Sequence, residues 1–256
     1  MKIGLALSGG GARGIVHLGI IKALAELGIK PDMIAGTSAG AIAGAMLANG
    51  YSPDEILDII LKTNFFQYFR PTFGGMGLLK MDKAEELYLK YLPHNRFDQL
   101  KLPLIVAATD IQAGELVYFD SGELIKPIMA SSCLPGIFQP ITFQKRTLVD
   151  GAVLNNLPIE PLLGKVDVLV GINCNPFFSN KPVKSTRDVL EKSIMLAIRS
   201  KTQERLQQCQ IKIESLEVGK FDVYDLRKAR EIFKIGYNHV KKSKEISAQI
   251  TQIFSI

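Results

Sequence analysis

Runs of apolar residues alternate along the chain with segments in which apolar residues recur at helical spacing. The apolar runs are typical of strands covered on both faces and comprise residues 3–8, 33–35, 102–108, 116–119, 166–172 and 211–216. Segments with helical spacing or helix-start signals comprise residues 15–27, 40–49, 52–62, 82–91, 124–132, 186–208 and 225–244. Strands that alternate with helices predict a mostly parallel central sheet with helices on both faces. We therefore expect an α/β fold, a three-layer α/β/α sandwich.

The chain contains no linker, internal repeat or low-complexity segment that would divide it. Its 256 residues suit one large domain, and 47% hydrophobic residues can form a sizeable core. We expect a single domain over residues 1–256, with the motif-bearing core at about 3–160. Intrinsic disorder is excluded because the chain is neither poor in apolar residues nor highly charged.

Charge and cysteine content give only weak indications of the partners and the cellular compartment of the protein. The formal charge of +6 favours anionic partners, although many soluble proteins carry as much. Three cysteines, an odd number without metal-ligand spacing, fit free thiols in a reducing compartment. We expect a cytoplasmic protein, with peripheral contact at the inner membrane surface left open. No nucleic-acid module is recognisable, so we expect no nucleic-acid partner.

The stretch Met33–Asn49 has no charged residue and raises the question of a membrane span. It is shorter than the roughly 20 apolar residues that a span needs, and small residues interrupt it. Gly36, Gly40 and Gly44 repeat at a four-residue spacing that also occurs in membrane helix dimers. In an α/β protein this spacing lets a helix pack closely on a sheet, which is the interpretation we favour.

The segment Gly36-Thr37-Ser38-Ala39-Gly40 connects a short strand to a helix. A sharp turn at this point presents the serine hydroxyl and strains its backbone, so small residues must flank it. The following helix N-terminus favours developing negative charge. Ser38 is therefore a candidate nucleophile.

A second strand-to-helix turn, Gly9-Gly10-Gly11-Ala12-Arg13-Gly14, is rich in glycine. Its backbone amides could converge on a small anion, as in an oxyanion hole. The spacing also matches a dinucleotide-binding fingerprint, which requires an acidic residue after the next strand. Asp32 precedes that strand, so we favour the oxyanion interpretation over nucleotide binding and over a purely structural turn.

A serine nucleophile needs a base within hydrogen-bonding reach. His94 lies in a polar loop and His239 on a lysine-rich helix, and we expect both to be exposed; His17 could approach the site but is expected to pack locally. Asp150, in Asp150-Gly151-Ala152, follows an apolar run at a position where α/β proteins present catalytic side chains. An aspartate before glycine is also a common turn former, and the residues alone leave both interpretations open.

These three elements, in this order, resemble the patatin-like phospholipase family. Residues 130–138 and 150–158 are similar to bacterial members, and the resemblance is thin between about 176 and 225. The resemblance implies a Ser–Asp dyad of Ser38 and Asp150 that hydrolyses fatty acyl esters of phospholipids, lysophospholipids or neutral lipids. It further implies an oxyanion loop of Gly9, Gly10 and Gly11, with Arg13 fixing the loop. The motif-flanking residues are Gly14, Gly36, Gly40 and Gly151.

Two further expectations follow. No cofactor or metal is required, and the partner is a lipid ester; the oligomeric state and substrate remain open. The aromatic stretch Phe65–Phe73 could form a lid or lipid-facing entrance, or its rings could simply pack. A catalytically weak regulatory protein on the same fold is the alternative to an enzyme.

Overall fold

A computed structural model of the chain describes residues 1–72, 75–176 and 183–254. The strands in these ranges are β1 (Ile3–Leu7), β2 (Met33–Thr37), β3 (Arg70–Pro71), β4 (Leu79–Lys80), β5 (Leu104–Asp110), β6 (Glu115–Phe119), β7 (Ile141–Phe143), β8 (Arg146–Asp150), β9 (Val168–Asn173) and β10 (Ile211–Glu214). The α-helices are α1 (Ile15–Glu26), α2 (Ala39–Ala48), α3 (Pro53–Lys62), α4 (Ala84–Tyr91), α5 (Ile125–Ser131), α6 (Thr186–Gln207), α7 (Ala229–Lys242) and α8 (Lys244–Phe254).

The central sheet is mixed and contains eight of these strands. Its order is β10-β9-β1-β2-β5-β8-β7, with β6 paired to β5 off this path. The five strands from β10 to β5 run parallel, whereas β6 and β8 pair antiparallel with β5, and β7 pairs antiparallel with β8. Because helices cover both faces, the predicted α/β sandwich with a mostly parallel sheet is confirmed.

Two strands share one edge of β5. Thr37, the last residue of β2, pairs with Ala107, and Asp150, the last residue of β8, pairs with Ala108. Strand β6 occupies the opposite edge over Val106–Asp110. Since β2 is parallel and β8 antiparallel to β5, their carboxyl ends meet head to head.

The two faces of the sheet carry apolar layers of different size. Leu5 and Leu7 of β1 join a large cluster with residues of α1, α2, α3, α7 and α8. Ala6, between them, faces a smaller cluster that includes Leu162 and Leu206. This alternation follows from the period of two along a strand, and it places the sheet between two helical layers.

Helices α1 and α7 approach each other closely through two glycines. A Cβ atom on Gly19 would overlap the carbonyl oxygen of Phe233, and one on Gly236 would overlap that of Val16. The missing side chains let the two helix backbones touch. Helix α1 begins directly after the glycine turn at residues 9–14, so this contact also fixes the position of that turn.

The predicted helix over residues 225–244 is wrong in one respect, because the structure divides this part of the chain. Asp225 caps a short 3₁₀ turn, α7 ends at Lys242, and Ser243 adopts extended dihedral angles (φ −79°, ψ 114°) before α8. The Ser243 hydroxyl accepts a hydrogen bond from the Ile246 amide at 3.2 Å. Ser243 thus caps the start of α8. The lysines on either side of it make this part of the sequence look like one continuous helix.

The uncharged stretch Met33–Asn49 forms β2, a tight turn and α2, as the glycine spacing predicted. A Cβ atom on Gly40 would overlap the Leu7 carbonyl oxygen, so α2 lies directly against the sheet. In the described part of the chain, no helix is both long enough and apolar enough to cross a bilayer.

Candidate active site

Ser38 occupies the turn between β2 and α2 in a strained conformation. Its φ of 53° and ψ of −122° lie in a region that residues with a side chain rarely adopt. Gly36 and Gly40 make the turn sterically feasible, since a Cβ atom on Gly36 would lie 2.5 Å from the Gly40 carbonyl oxygen. The Ser38 amide donates a hydrogen bond to the hydroxyl of Ser131 at 2.8 Å. Ser38 therefore stands at the N-terminus of α2 with its backbone held from the side of α5.

Asp150 faces the serine from the end of β8. Only 3% of its surface is exposed, and burial raises the pKa of its carboxyl group to about 6. Hydrogen bonding from the Ala152 amide, at 2.9 Å to Oδ1, and from the Ser38 side chain opposes this rise. Gly151 lets the chain after Asp150 lie directly against β5, because a Cβ atom there would overlap the Ala107 carbonyl oxygen. Asp150 thus both shapes a turn and lies within reach of Ser38.

The glycine turn packs against Ser38. A Cβ atom on Gly9 would lie 2.9 Å from the Ser38 Cβ atom, and the Gly9 amide donates to the Asn156 carbonyl oxygen at 3.2 Å. Gly11 has a positive φ of 56°, and a Cβ atom there would overlap the Val223 carbonyl oxygen. The described residues offer no acceptor to the amides of Gly10 and Gly11. Of the three predicted oxyanion amides, that of Gly9 is thus already engaged.

Arg13 anchors the glycine turn from behind. Its side chain is buried, and its guanidinium donates to the carbonyl oxygens of Phe221 at 2.8 Å and Gly219 at 3.3 Å. The Ala12 amide donates to the Val223 carbonyl oxygen at 2.7 Å. These bonds join the turn to residues 219–223, so Arg13 is suited to hold the glycine turn in place.

Gly14 marks the end of the turn. A Cβ atom on Gly14 would lie 2.5 Å from the Cβ atom of Ala39, the first residue of α2. The glycine turn and the serine turn therefore pack on each other directly.

The three histidines lie in different surroundings. His17 is fully buried, donates from Nε2 to the Ser8 carbonyl oxygen at 2.8 Å, and has a pKa lowered to about 4 by burial. It packs beneath the glycine turn as an uncharged group, in line with local packing. His94 is exposed as expected. The expectation of an exposed His239 is wrong: it is half-buried because α7 packs on the body of the protein, and burial lowers its pKa.

All three cysteines are buried and free. Cys174 lies under the glycine turn, where its amide donates to the Ser8 hydroxyl at 2.9 Å. Burial raises the pKa of the Cys174 thiol to about 11 and that of Cys133 to about 12. The thiols are therefore protonated near neutral pH and are poor nucleophiles.

The aromatic segment divides into packed and exposed parts. The Phe69 and Phe138 rings pack with centroids 5.1 Å apart, and Tyr68 joins the same apolar cluster. The exposed apolar side chains nearby are Met76 (74%) and Leu78 (64%). Phe73 and the side chain of Phe66 lie outside the described residues. The exposed apolar side chains Met76 and Leu78 thus lie just outside the stretch Phe65–Phe73, within which Phe69 packs inward.

Backbone hydrogen bonds connect this segment to the neighbourhood of Asp150. The Leu79 amide donates to the Ile137 carbonyl oxygen at 2.8 Å, and the Gln139 amide donates to the Leu79 carbonyl oxygen at 2.9 Å. The Cys133 carbonyl oxygen, a few residues earlier, accepts the Asp150 amide at 2.9 Å. Among the described residues, no group of three or more histidine, cysteine or acidic side chains could hold a metal ion.

Sequence reasoning missed two residues beside Ser38. Ser131 receives the Ser38 amide, and Asn156 contacts the glycine turn. Both lie in stretches that resemble bacterial patatin-like proteins, which was the available signal. The pattern could not assign their roles, because these depend on contacts with residues 93 positions away for Ser131 and 147 positions away for Asn156 (156 − 9).

Comparison with known proteins is consistent with this geometry. The family model of the patatin-like phospholipases matches residues 5–163. An uncharacterized NTE family protein of Mycobacterium tuberculosis strain H37Rv is 33% identical over 178 residues, which cover 68% of this chain and 49% of that protein. The lysophospholipase nte1 of Aspergillus fumigatus is 30% identical over 193 residues, which cover 70% of this chain and 12% of that protein. The chain thus spans about half the length of the first relative and far less of the second.

Among solved structures, VipD from Legionella pneumophila is similar with a TM-score of 0.60 and 16% identity, over 94% of this chain and 66% of that chain. At this identity the similarity concerns the fold alone. The family model covers more than half of the chain and includes both Ser38 and Asp150. The chain therefore belongs to the patatin-like phospholipase family.

Proposed function

We propose that this protein is a serine acyl hydrolase in which Ser38 is the nucleophile and Asp150 the general base. The observation that carries the proposal is the head-to-head meeting of β2 and β8 on one edge of β5. It brings a strained serine next to a buried carboxylate whose pKa is raised to about 6. Family membership supports the coarser statement that the chain is a lipid ester hydrolase.

The reaction begins when Ser38 Oγ attacks the acyl carbonyl carbon and its proton passes to Asp150. The resulting oxyanion accepts hydrogen bonds from the Gly10 and Gly11 amides, with the positive end of α2 nearby. Collapse of the tetrahedral intermediate breaks the ester bond. The departing alkoxide takes the proton from Asp150, and the acyl group remains on the serine.

Deacylation repeats these steps with water. Asp150 accepts a proton from the water as its oxygen attacks the acyl-enzyme, and a second oxyanion forms. Its collapse releases the fatty acid, and Ser38 Oγ recovers the proton from Asp150. Over the whole cycle one water molecule is consumed, and one ester becomes an acid and an alcohol.

The raised pKa of Asp150 suits this role. An aspartate with an ordinary pKa near 4 is a weak base toward a serine hydroxyl. Burial that shifts the pKa to about 6 strengthens the base, yet leaves most of the carboxyl groups ionised at neutral pH. His17 is poorly suited to replace it, since its Nε2 is engaged with the Ser8 carbonyl oxygen and burial lowers its pKa to about 4.

The substrate class that we propose is a fatty acyl ester of a phospholipid or lysophospholipid. The support comes from the lysophospholipase activity for which the Aspergillus relative is named and from the apolar side chains exposed at Met76 and Leu78. These residues belong to the segment hydrogen-bonded to residues 137–139, near Asp150. We further propose that this segment contacts the lipid surface from which the substrate is taken.

Hydrolysis of p-nitrophenyl butyrate and of a lysophospholipid by wild type, Ser38→Ala and Asp150→Asn tests the assignment. We expect both variants to fall to background. Ser132→Ala is the matched serine control, because its half-buried hydroxyl donates to the Ile128 carbonyl oxygen, at 3.0 Å, within its own helical segment. Asp120→Asn is the exposed carboxylate control. Inactivity of the wild type on both esters, or activity of Ser38→Ala, would favour the regulatory alternative.

A further inference from the structure

Two consecutive asparagines follow the Asp150 turn, and both are almost completely buried. Asn155 is 1% exposed and Asn156 is 3% exposed. Their side chains nevertheless differ in hydrogen bonding. Asn155 Nδ2 donates to the Tyr118 hydroxyl at 2.9 Å and to Glu160 at 2.7 Å, and its Oδ1 accepts the Leu157 amide at 3.1 Å.

The carboxamide of Asn156 has no partner for either atom. Neither Nδ2 nor Oδ1 finds a donor or acceptor among the described residues. Buried amides are almost always hydrogen-bonded, because an unsatisfied group loses its water without replacement. The Asn156 side chain therefore has a buried donor and a buried acceptor whose hydrogen bonds are unsatisfied.

The carboxamide of Asn156 lies beside Gly9 and Ser38. The Asn156 carbonyl oxygen accepts the Gly9 amide at 3.2 Å, so its backbone is bound to the glycine turn. A Cβ atom on Gly9 would lie 2.9 Å from Asn156 Oδ1 and also 2.9 Å from the Ser38 Cβ atom. The carboxamide and the proposed nucleophile thus border the same small space above Gly9.

Either amide atom can point into that space. Since neither has a partner, half a turn about the Cβ–Cγ bond exchanges Nδ2 and Oδ1 without the loss of any hydrogen bond. The Nδ2 group can therefore face an acyl oxygen when a substrate is bound.

We infer that the side chain of Asn156 is a third donor of the oxyanion hole, alongside the backbone amides of Gly10 and Gly11. This inference rests on the proposed function. It assigns the group that replaces the Gly9 amide, which is already engaged with the Asn156 backbone. Asn156 contributes twice: its main chain positions the glycine turn, and its carboxamide binds the negative oxygen of both tetrahedral intermediates.

The test compares Asn156→Ala with Asn155→Ala for hydrolysis of p-nitrophenyl butyrate and for thermal stability. A single oxyanion donor is worth about 10²–10³ in kcat, so Asn156→Ala should lose that factor with little change in KM. Its Tm should stay unchanged or rise, because an unpaired buried polar group is removed. Asn155→Ala should instead lower the Tm by about 5 °C or more, since three hydrogen bonds are lost.

A second measurement distinguishes binding of the transition state from general damage. The affinity of a reversible trifluoromethyl ketone, which forms a tetrahedral adduct with the serine, should fall in Asn156→Ala by the same factor as kcat/KM. The isosteric variant Asn156→Asp fills the same space without the donor and should be equally impaired at alkaline pH.

Each result decides the matter. The inference is overturned if Asn156→Ala keeps kcat within about threefold of wild type, less than the loss of an oxyanion donor predicts. It is also overturned if Asn156→Asp is fully active at alkaline pH, or if Asn156→Ala loses stability as Asn155→Ala does. An inactive wild type, by contrast, contradicts the proposed function itself, so the two failures can be told apart.

Discussion

The Ser131 hydroxyl accepts the backbone amide of Ser38 at 2.8 Å and thereby links α5 to the strained serine turn. Ser131 is fully buried, so water cannot replace this hydrogen bond. A residue with a positive φ persists only when its surroundings impose that conformation. The bond is one such constraint, and it acts on the residue that is proposed to attack the substrate.

Removal of this constraint should affect activity more than folding. For Ser131→Ala we expect a loss of about 1 kcal/mol in the free energy of unfolding, the net value of one hydrogen bond. Esterase activity should fall about tenfold, because the serine turn samples unproductive geometries. Chemical denaturation and initial rates on p-nitrophenyl butyrate measure the two effects. The control Ser132→Ala should leave the esterase rate unchanged. A wild-type rate in Ser131→Ala would show that the serine turn keeps its conformation without this hydrogen bond.

The pH dependence of kcat/KM should report the titration of Asp150. Its carboxyl group must be ionised to accept the serine proton, so activity should decline as the pH falls through about 6. His239→Gln should leave this decline in place, which excludes the half-buried histidine as its source. A profile that stays flat through the acidic range would contradict the assignment of Asp150 as base.

Asp150 should also lower the stability of the folded protein at neutral pH. Its folded pKa of about 6 lies above the ordinary value of 3.8, so the folded state binds its proton more tightly than the unfolded state. The corresponding stability is present below about pH 4 and is lost as the pH rises to about 6. Asp150→Asn should therefore raise the free energy of unfolding at pH 7 by up to about 3 kcal/mol. Equal stability of variant and wild type at pH 4 and pH 7 would contradict this.

Gly11 should be irreplaceable because of its neighbour rather than its φ alone. In Gly11→Ala the new methyl group would meet the Val223 carbonyl oxygen and displace the glycine turn. We expect a loss of at least about 10² in kcat, as for a misplaced oxyanion donor. Gly122→Ala is the matched control, since Gly122 has a φ of 75° but nothing within 4 Å of the added methyl group. It should cost about 1 kcal/mol in stability and leave the rate unchanged.

Vesicle binding tests the lipid-facing segment. In the double variant Met76→Ser and Leu78→Ser, sedimentation with phosphatidylglycerol vesicles should decrease, because both exposed side chains lose apolar surface. Hydrolysis of the short soluble ester should stay within about twofold, since both substituted side chains are exposed at the surface. Leu163→Ser, which alters another exposed leucine (49%), is the control. An equal loss of vesicle binding and of ester hydrolysis in the double variant would contradict the proposed lipid contact.

Local patterns were sufficient for much of the fold. The apolar runs predicted the parallel strands, and the small residues around Ser38 predicted a strand–turn–helix. The capping box of Ser52 and Glu55 begins α3 within residues 52–62, the range predicted to be helical. These features depend on residues that are neighbours in sequence, so a single chain reveals them.

Features that depend on distant residues could not be predicted in the same way. Nothing in residues 146–150 indicates that β8 continues the edge of β5 where β2 stops. The identical side chains of Asn155 and Asn156 differ in hydrogen bonding because Tyr118, Glu160 and the Leu157 amide lie beside the first. The family resemblance supplied Asp150, but the residues alone left it as either a base or a turn former.

Arg13 and Ala12 donate hydrogen bonds to main-chain carbonyl oxygens of the segment 219–223. Every amino acid supplies such an oxygen, so these contacts constrain the path of the chain but not the identity of its side chains. The sequence match to the family ends at residue 163, whereas the support of the glycine turn extends some sixty residues further. Gly219, Phe221 and Val223 thus hold the glycine turn through atoms that any residue could supply, outside the part of the chain that the family model matches.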